Sequence, residues 1–132
     1  MGMYTQLHYG VRLKKNTPQQ VVDLLQFMLG DEAKKPTELP DHDLFRTSRW
    51  SYMLTCDSYY FNYKTCSNMR LDDIAGQWFF SVTCNVKNYN NEIEKFIDWL
   101  MPYVEAMEGD FLGYSRYEET ETPTIIYYSK GV

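Results

Sequence analysis

Met3-Tyr4-Thr5-Gln6-Leu7-His8-Tyr9-Gly10-Val11-Arg12-Leu13-Lys14 decides the fold. Met3, Thr5, Leu7, Tyr9, Val11 and Leu13 fall on one face. Tyr4, Gln6, His8, Arg12 and Lys14 fall on the other, with Gly10 between them. A period of two with one apolar face is a half-buried strand. The next residues, Thr17-Pro18-Gln19-Gln20, read as a helix start. Thr17 is placed to cap, Pro18 suits the first helical position, and Gln20 completes a capping box. Val21, Val22, Leu24, Leu25, Met28 and Leu29 then form an apolar stripe, and Gly30 stops it. The spacing predicts a helix over 18–29.

Residues 31–43 are polar, contain Pro36 and Pro40, and read as a long connection. Runs 49–56 and 59–66 look like a hairpin turning at Asp57-Ser58. Their first strand would turn Trp50, Tyr52, Leu54 and Cys56 to one face. Residues 67–75, with Asp72-Asp73 before Gly76, read as a further turn. Over 77–87 the alternation returns. Trp78, Phe80, Val82, Cys84 and Val86 point inward, and Gln77, Phe79, Ser81, Thr83, Asn85 and Lys87 outward. A second helix is predicted from Asn91, with Asn91 as cap and Glu94 closing a capping box. Its stripe is Ile93, Phe96, Ile97, Leu100 and Val104, and Pro102 ends or kinks it. Extended runs over 110–119 and 124–129 finish the chain.

The predicted order is β-α-β-β-β-α-β-β in one domain, 1–132. That order makes an α+β two-layer sandwich, with both helices on one face of a mainly antiparallel sheet. Its βαββαβ core is ferredoxin-like, with added strands. A chain of 132 residues is long enough to bury roughly two-thirds of its unfolded surface.

The formal charge of −5 works against binding phosphate backbones, so nucleic acid is not an expected partner. It is compatible with a basic partner. Twelve tyrosines suit half-buried sheet positions and contact surfaces. Cys56, Cys66 and Cys84 form no Cys-x-x-Cys and each lies in an apolar or aromatic run. They are expected to be free, buried and reduced, in a cytoplasmic setting. The chain opens on strand-like sequence with no basic-then-apolar leader. Gln6 stands where a myristoylation motif needs Ser or Thr, and no run is long enough to span a membrane.

Signatures of chemistry are sparse. The sequence has no nucleotide-binding glycine loop, nucleophile elbow or His-Glu-x-x-His. No cofactor and no metal are expected, and no catalytic set can be named. His8 has no sequence-local carboxylate to make it a base. Asp41-His42-Asp43 could in principle hold a metal, but it fits better as a helix cap with an Asp before Leu44-Phe45. Arg46, Ser48 and Arg49 form a candidate anion-binding corner, for a nucleotide or phosphometabolite. The plainer reading pairs these arginines with Asp41 or Asp43. The other candidate is a surface: Tyr4, Gln6, His8 and Arg12 on strand 1, with Tyr60 and Phe79 outward on two other strands. An aromatic, polar open sheet face of this kind suits a protein contact. The oligomeric state stays open; an exposed edge strand would allow a dimer.

Met3-Tyr4-Thr5-Gln6-Leu7-His8, Lys15-Asn16-Thr17-Pro18, Leu39-Pro40-Asp41-His42, Thr47-Ser48-Arg49-Trp50, Cys56-Asp57-Ser58-Tyr59-Tyr60-Phe61, Lys87-Asn88-Tyr89-Asn90-Asn91-Glu92-Ile93 and Phe111-Leu112-Gly113-Tyr114 run through nearly the whole chain. In these runs it resembles a group of small uncharacterised proteins of bacteriophages and bacterial mobile elements. The resemblance implies a setting, not an activity. In that setting small acidic proteins are often inhibitors of host defence or regulatory binders. The leading expectation is a non-enzymatic protein-binding module, and the alternative is a binder or enzyme of a small anionic ligand at Arg46 and Arg49.

Overall fold

The opening alternation becomes the central strand of the sheet, β1 (Thr5–Arg12). The computed structural model describes residues 3–58, 61 and 64–130. Along β1, Leu7, Tyr9 and Val11 are buried while His8, Gly10 and Arg12 are exposed, as the period of two requires. The further elements are α1 (Gln19–Met28), β2 (Cys66–Asp72), β3 (Gln77–Val86), α2 (Glu92–Leu100), β4 (Phe111–Tyr117) and β5 (Thr124–Tyr127). The strands lie in the order β2-β3-β1-β4-β5, and every neighbouring pair is antiparallel. The chain is an α+β sandwich with a ferredoxin-like βαββαβ core and β5 added outside β4.

Both helices pack their stripes on the inner face of the sheet. In α1 the buried residues are Val21, Val22, Leu24, Leu25 and Met28. In α2, Phe96 sits between Tyr9 and Phe80, with ring centroids 6.1 Å and 6.0 Å away. Fully burying such a side chain contributes about 1.5–3 kcal/mol. Among the described residues, no helix is long and apolar enough to cross a membrane.

The helix ends differ from the sequence expectation. Thr17 turns its hydroxyl back to the Lys14 carbonyl at 2.6 Å, and Pro18 occupies the cap position without a side-chain bond. The end of α1 is as predicted. Gly30 has φ of +109°, its N–H donates to the Phe27 carbonyl, and the Asp31 N–H donates to the Gln26 carbonyl. These two bonds make a Schellman motif. At α2, Asn91 is left-handed and does not cap. Asn88 does: its Oδ1 accepts from the Ile93 N–H, and its amide donates to Glu94. The helix ends at Leu100, and Pro102 falls in a following 3-10 turn, Met101–Tyr103.

The predicted hairpin of 49–56 and 59–66 is replaced by other structure. Residues 49–56 form no strand. Successive i to i+3 bonds, Tyr52 N–H to Arg49 and Thr55 N–H to Tyr52, wind them into turns and a 3-10 helix, Met53–Thr55. Met53 and Leu54 are both buried while Tyr52 is exposed, so the working apolar set is 50, 53 and 54 at near-helical spacing. Residues 59, 60, 62 and 63 of the second predicted strand lie outside the described residues. The partner of β3 is instead β2, joined through a turn in which the Gly76 N–H donates to the Asp72 carbonyl. The cysteines are free; Cys84 is buried as expected, whereas Cys66 is exposed on the edge strand β2.

Tyr9 is 1% exposed and its hydroxyl has no partner among the described residues. Burial pushes its phenol well above the ordinary value, and pushes the Cys84 thiol up in the same way. For both groups the folded pKa exceeds the unfolded one. Their contribution is therefore fully present below about pH 8.5, the ordinary thiol value, and is lost as pH rises. Urea unfolding is expected to show stability falling above that pH, by about 1.4 kcal/mol per pH unit for each group once it titrates in the unfolded chain. Tyr9→Phe removes the unpaired hydroxyl. It should leave neutral-pH stability equal or higher, by up to about 1 kcal/mol, and should flatten the decline above about pH 10. An unchanged alkaline profile would discard the Tyr9 part of this account.

Candidate functional site

The helices cover one face of the sheet, so the other face collects every outward side chain of the strands. Register places these residues in rows across the strands. In the first, Arg12 of β1 and Arg70 of β2 flank Phe79 of β3, and the Arg70 guanidinium lies 4.9 Å from the Phe79 ring centroid. In the second, Gly10 and Ser81 present little or no side chain, with Asn68 beside them on β2. In the third, His8 stands between Tyr114 and Thr83. Its ring stacks on Tyr114 with centroids 5.3 Å apart, and its Nδ1 is 2.9 Å from the Thr83 hydroxyl.

The small second row leaves a depression of about 630 Å³ lined by Gly10, Arg12, Asn68, Arg70, Phe79 and Ser81. Two acids also reach its rim, and both are engaged within the chain. Glu105 accepts from the Gln77 side chain, and Asp110 accepts from the Met107 N–H. Most other acids, including Asp23, Asp41, Asp43, Glu92, Glu94 and Asp98, lie on the helices or their connections. The depression is thus framed by two guanidiniums, Arg12 and Arg70, and two carboxylates that already accept bonds from neutral donors of the chain. Net charge points to a basic partner, whereas the two guanidiniums of this face offer paired donors to a carboxylate.

The sequence-predicted surface is brought together in part. His8, Arg12 and Phe79 share the open face. Gln6 does not contribute, because it is 3% exposed. The far end of the face is closed: the Cys56 carbonyl accepts from the Asn85 N–H, Asp57 accepts from the Asn85 amide, and buried Phe61 sits 5.1 Å from the Arg116 guanidinium. Tyr4 lies half-buried beyond this closure, with the Lys87 ammonium 5.8 Å from its ring. Tyr60 lies outside the described residues. Arg70 is not legible as a surface residue in the sequence, because 67–75 reads as a turn. Nor is Tyr114, whose phase in 110–119 is obscured by the irregularity between Phe111 and Gly113.

No family model, curated protein or solved structure matches this chain. Its chemistry has to be read from its own geometry.

At the other candidate, Arg46 donates to Asp43 at 2.5 Å and to Asp41, and these bonds hold its guanidinium protonated. Arg49 donates to Glu92 at 3.3 Å and lies 5.4 Å from the Tyr89 ring. Ser48 is exposed. The two guanidiniums thus take separate internal carboxylates, which a ligand anion would have to displace. His42, not an Asp, caps the 3-10 helix Asp43–Arg46: its Nδ1 accepts from the Leu44 N–H. That bond uses the Nδ1 lone pair, so Nε2 carries the proton donated to Asp98 at 2.9 Å. Among the described residues no three His, Cys, Asp or Glu are grouped to hold a metal. Among the described residues His8 has Thr83 and Tyr114 as neighbours and no carboxylate paired with it, an arrangement for stacking and hydrogen bonding.

Proposed function

We propose that this chain is a protein-binding module that receives an acidic, aromatic-bearing segment of its partner on the open sheet face. The carrying observation is the row of Arg12, Phe79 and Arg70 beside the Gly10 and Ser81 depression. Phe79 and the His8 and Tyr114 stack offer flat surfaces, and the arginines offer bidentate donors for carboxylates. Aromatic and arginine side chains at the centre of a contact carry most of its energy. In the setting that the resemblance implies, a bacteriophage or bacterial mobile element, the partner would be a host protein and binding would inhibit it. A small anion at Arg46 and Arg49 has less support, since both side chains are already paired.

The test is affinity capture from lysate of the natural host with nuclease present, using wild type, Arg70→Ala, Phe79→Ala and Arg46→Ala. One stoichiometric protein is expected with wild type and Arg46→Ala. Affinity for it should fall about tenfold or more in the other two. Equal capture by all four would remove the open face from the proposal. Capture that depends on intact single-stranded nucleic acid, and weakens steeply with salt, would replace a protein partner with a nucleic acid.

A further inference from the structure

We infer that β5 pairs with β5 of a second copy of this chain, across a two-fold axis through Ile126, to make a continuous ten-stranded sheet. β5 is an edge strand. Edge strands are normally blunted by charge or covered, because their outward N–H and C=O groups recruit other strands. Residues 123–129 contain no charged side chain, whereas the opposite edge, β2, carries Arg70 and Asp72.

The backbone phase fits this pairing. The Tyr128 N–H donates to the Asp110 carbonyl, and the Tyr128 carbonyl accepts from the Gly109 N–H, so both Tyr128 groups face β4. Alternation then turns the N–H and C=O of Ile125 and Tyr127 to the open edge. A two-fold at Ile126 sets Ile125 of each copy opposite Tyr127 of the other. Each such pair exchanges two bonds, giving four in all. The faces also match: exposed Ile125 and Tyr127 stay on the outer side beside exposed Phe111, and buried Ile126 and Tyr128 stay on the helix side.

The groove between β5 and α2 selects a second copy as the occupant. Its volume is about 700 Å³, and its apolar walls include Ile97, Met101 and Ile126. Glu94 stands toward its Thr124 end, Asp98 lies one turn further along α2 where it accepts from His42, and Lys14 and Lys130 line the other end. A two-fold exchanges these ends. It brings the lysines of each copy toward Glu94 of the other, the self-complementarity that an isologous interface requires.

Sedimentation equilibrium of the full chain should show a monomer–dimer equilibrium. Amide exchange at Ile125 and Tyr127 should slow as protein concentration rises. Tyr127→Pro removes an outward donor from each copy without touching the β4 ladder, and should raise the dissociation constant about tenfold or more. Ile125→Lys should act in the same direction. A wild type that stays monomeric at millimolar concentration would overturn the inference. So would a dimer in which these two amides exchange as in the monomer, a result that does not depend on either variant folding. Loss of dimer in Tyr127→Pro with capture by the open face intact separates this surface from the first one.

Discussion

Gly113→Ala is expected to unfold the protein or to lower its stability by more than about 4 kcal/mol, among the largest effects of any single substitution. Gly113 lies in β4 opposite Tyr9, buried, with φ of +155°. A Cβ there would sit 2.0 Å from the His8 carbonyl oxygen and 2.9 Å from the Tyr9 Cα. These are backbone atoms of the central strand. They cannot rotate away as a side chain would, so relief requires β4 to separate from β1. Separation would expose the inner face that Leu112 and Ile126 help to close, and would remove Tyr114 from its stack on His8. Gly10→Ala is the control. Its Cβ would meet nothing closer than the Ser81 Cβ at 3.7 Å, an ordinary contact. It should stay within about 1 kcal/mol of wild type while partly filling the binding depression. Urea denaturation of both variants is the measurement. A Gly113→Ala protein within about 1 kcal/mol of wild type would show that β4 tolerates displacement from β1.

The elements legible in the sequence were those with one wet and one dry face. β1 and β3 alternate because the helices cover one side only, and the stripes of α1 and α2 follow from the same layer. Where that asymmetry fails, the pattern fails with it. β2 is an edge strand exposed over most of its length, so Ser67, Asn68, Met69 and Arg70 show no usable period. Residues 49–56 are rich in residues that favour strands, yet their i to i+3 bonds and the packing of Trp50 on Phe27 and Phe45 outweigh that preference. The candidate surface was half legible for a related reason. Alternation says which side of a strand a residue takes, but not what lies over that side. Gln6 points outward and is still buried, because residues far along the chain fold over that end of the sheet. The sequence does not separate the two candidate caps of α2, because Asn88 and Asn91 are equally good by type; only the backbone path brings Asn88 to the N–H of Ile93.

Arg49→Met is the second substitution expected to have a large effect, at about 3 kcal/mol. Glu92 has 0% exposure, and its carboxylate accepts from Arg49 at 3.3 Å and from the Asn90 N–H at 3.1 Å. Removing the guanidinium leaves a buried carboxylate with one backbone donor, and an uncompensated buried charge costs about 3–5 kcal/mol. The Arg49 side chain is 24% exposed, so water reaches part of the gap and the lower end of that range applies. The bond also has a mechanical role. The long connection before β2 is held to α2 by Arg49 on Glu92 and by His42 on Asp98, so its loss frees one of these two attachments. Adding Glu92→Gln to Arg49→Met removes the stranded charge and should recover much of the stability, as a double-mutant cycle would show. Arg46→Met breaks bonds that lie in water, to Asp41 and Asp43, and should leave the denaturation midpoint unchanged. If Arg49→Met proved as harmless as Arg46→Met, burial of Glu92 would not be what makes the first pair matter. The connection would then have to be held to α2 by the packing of Phe45 on Trp99 and by the His42 bond to Asp98.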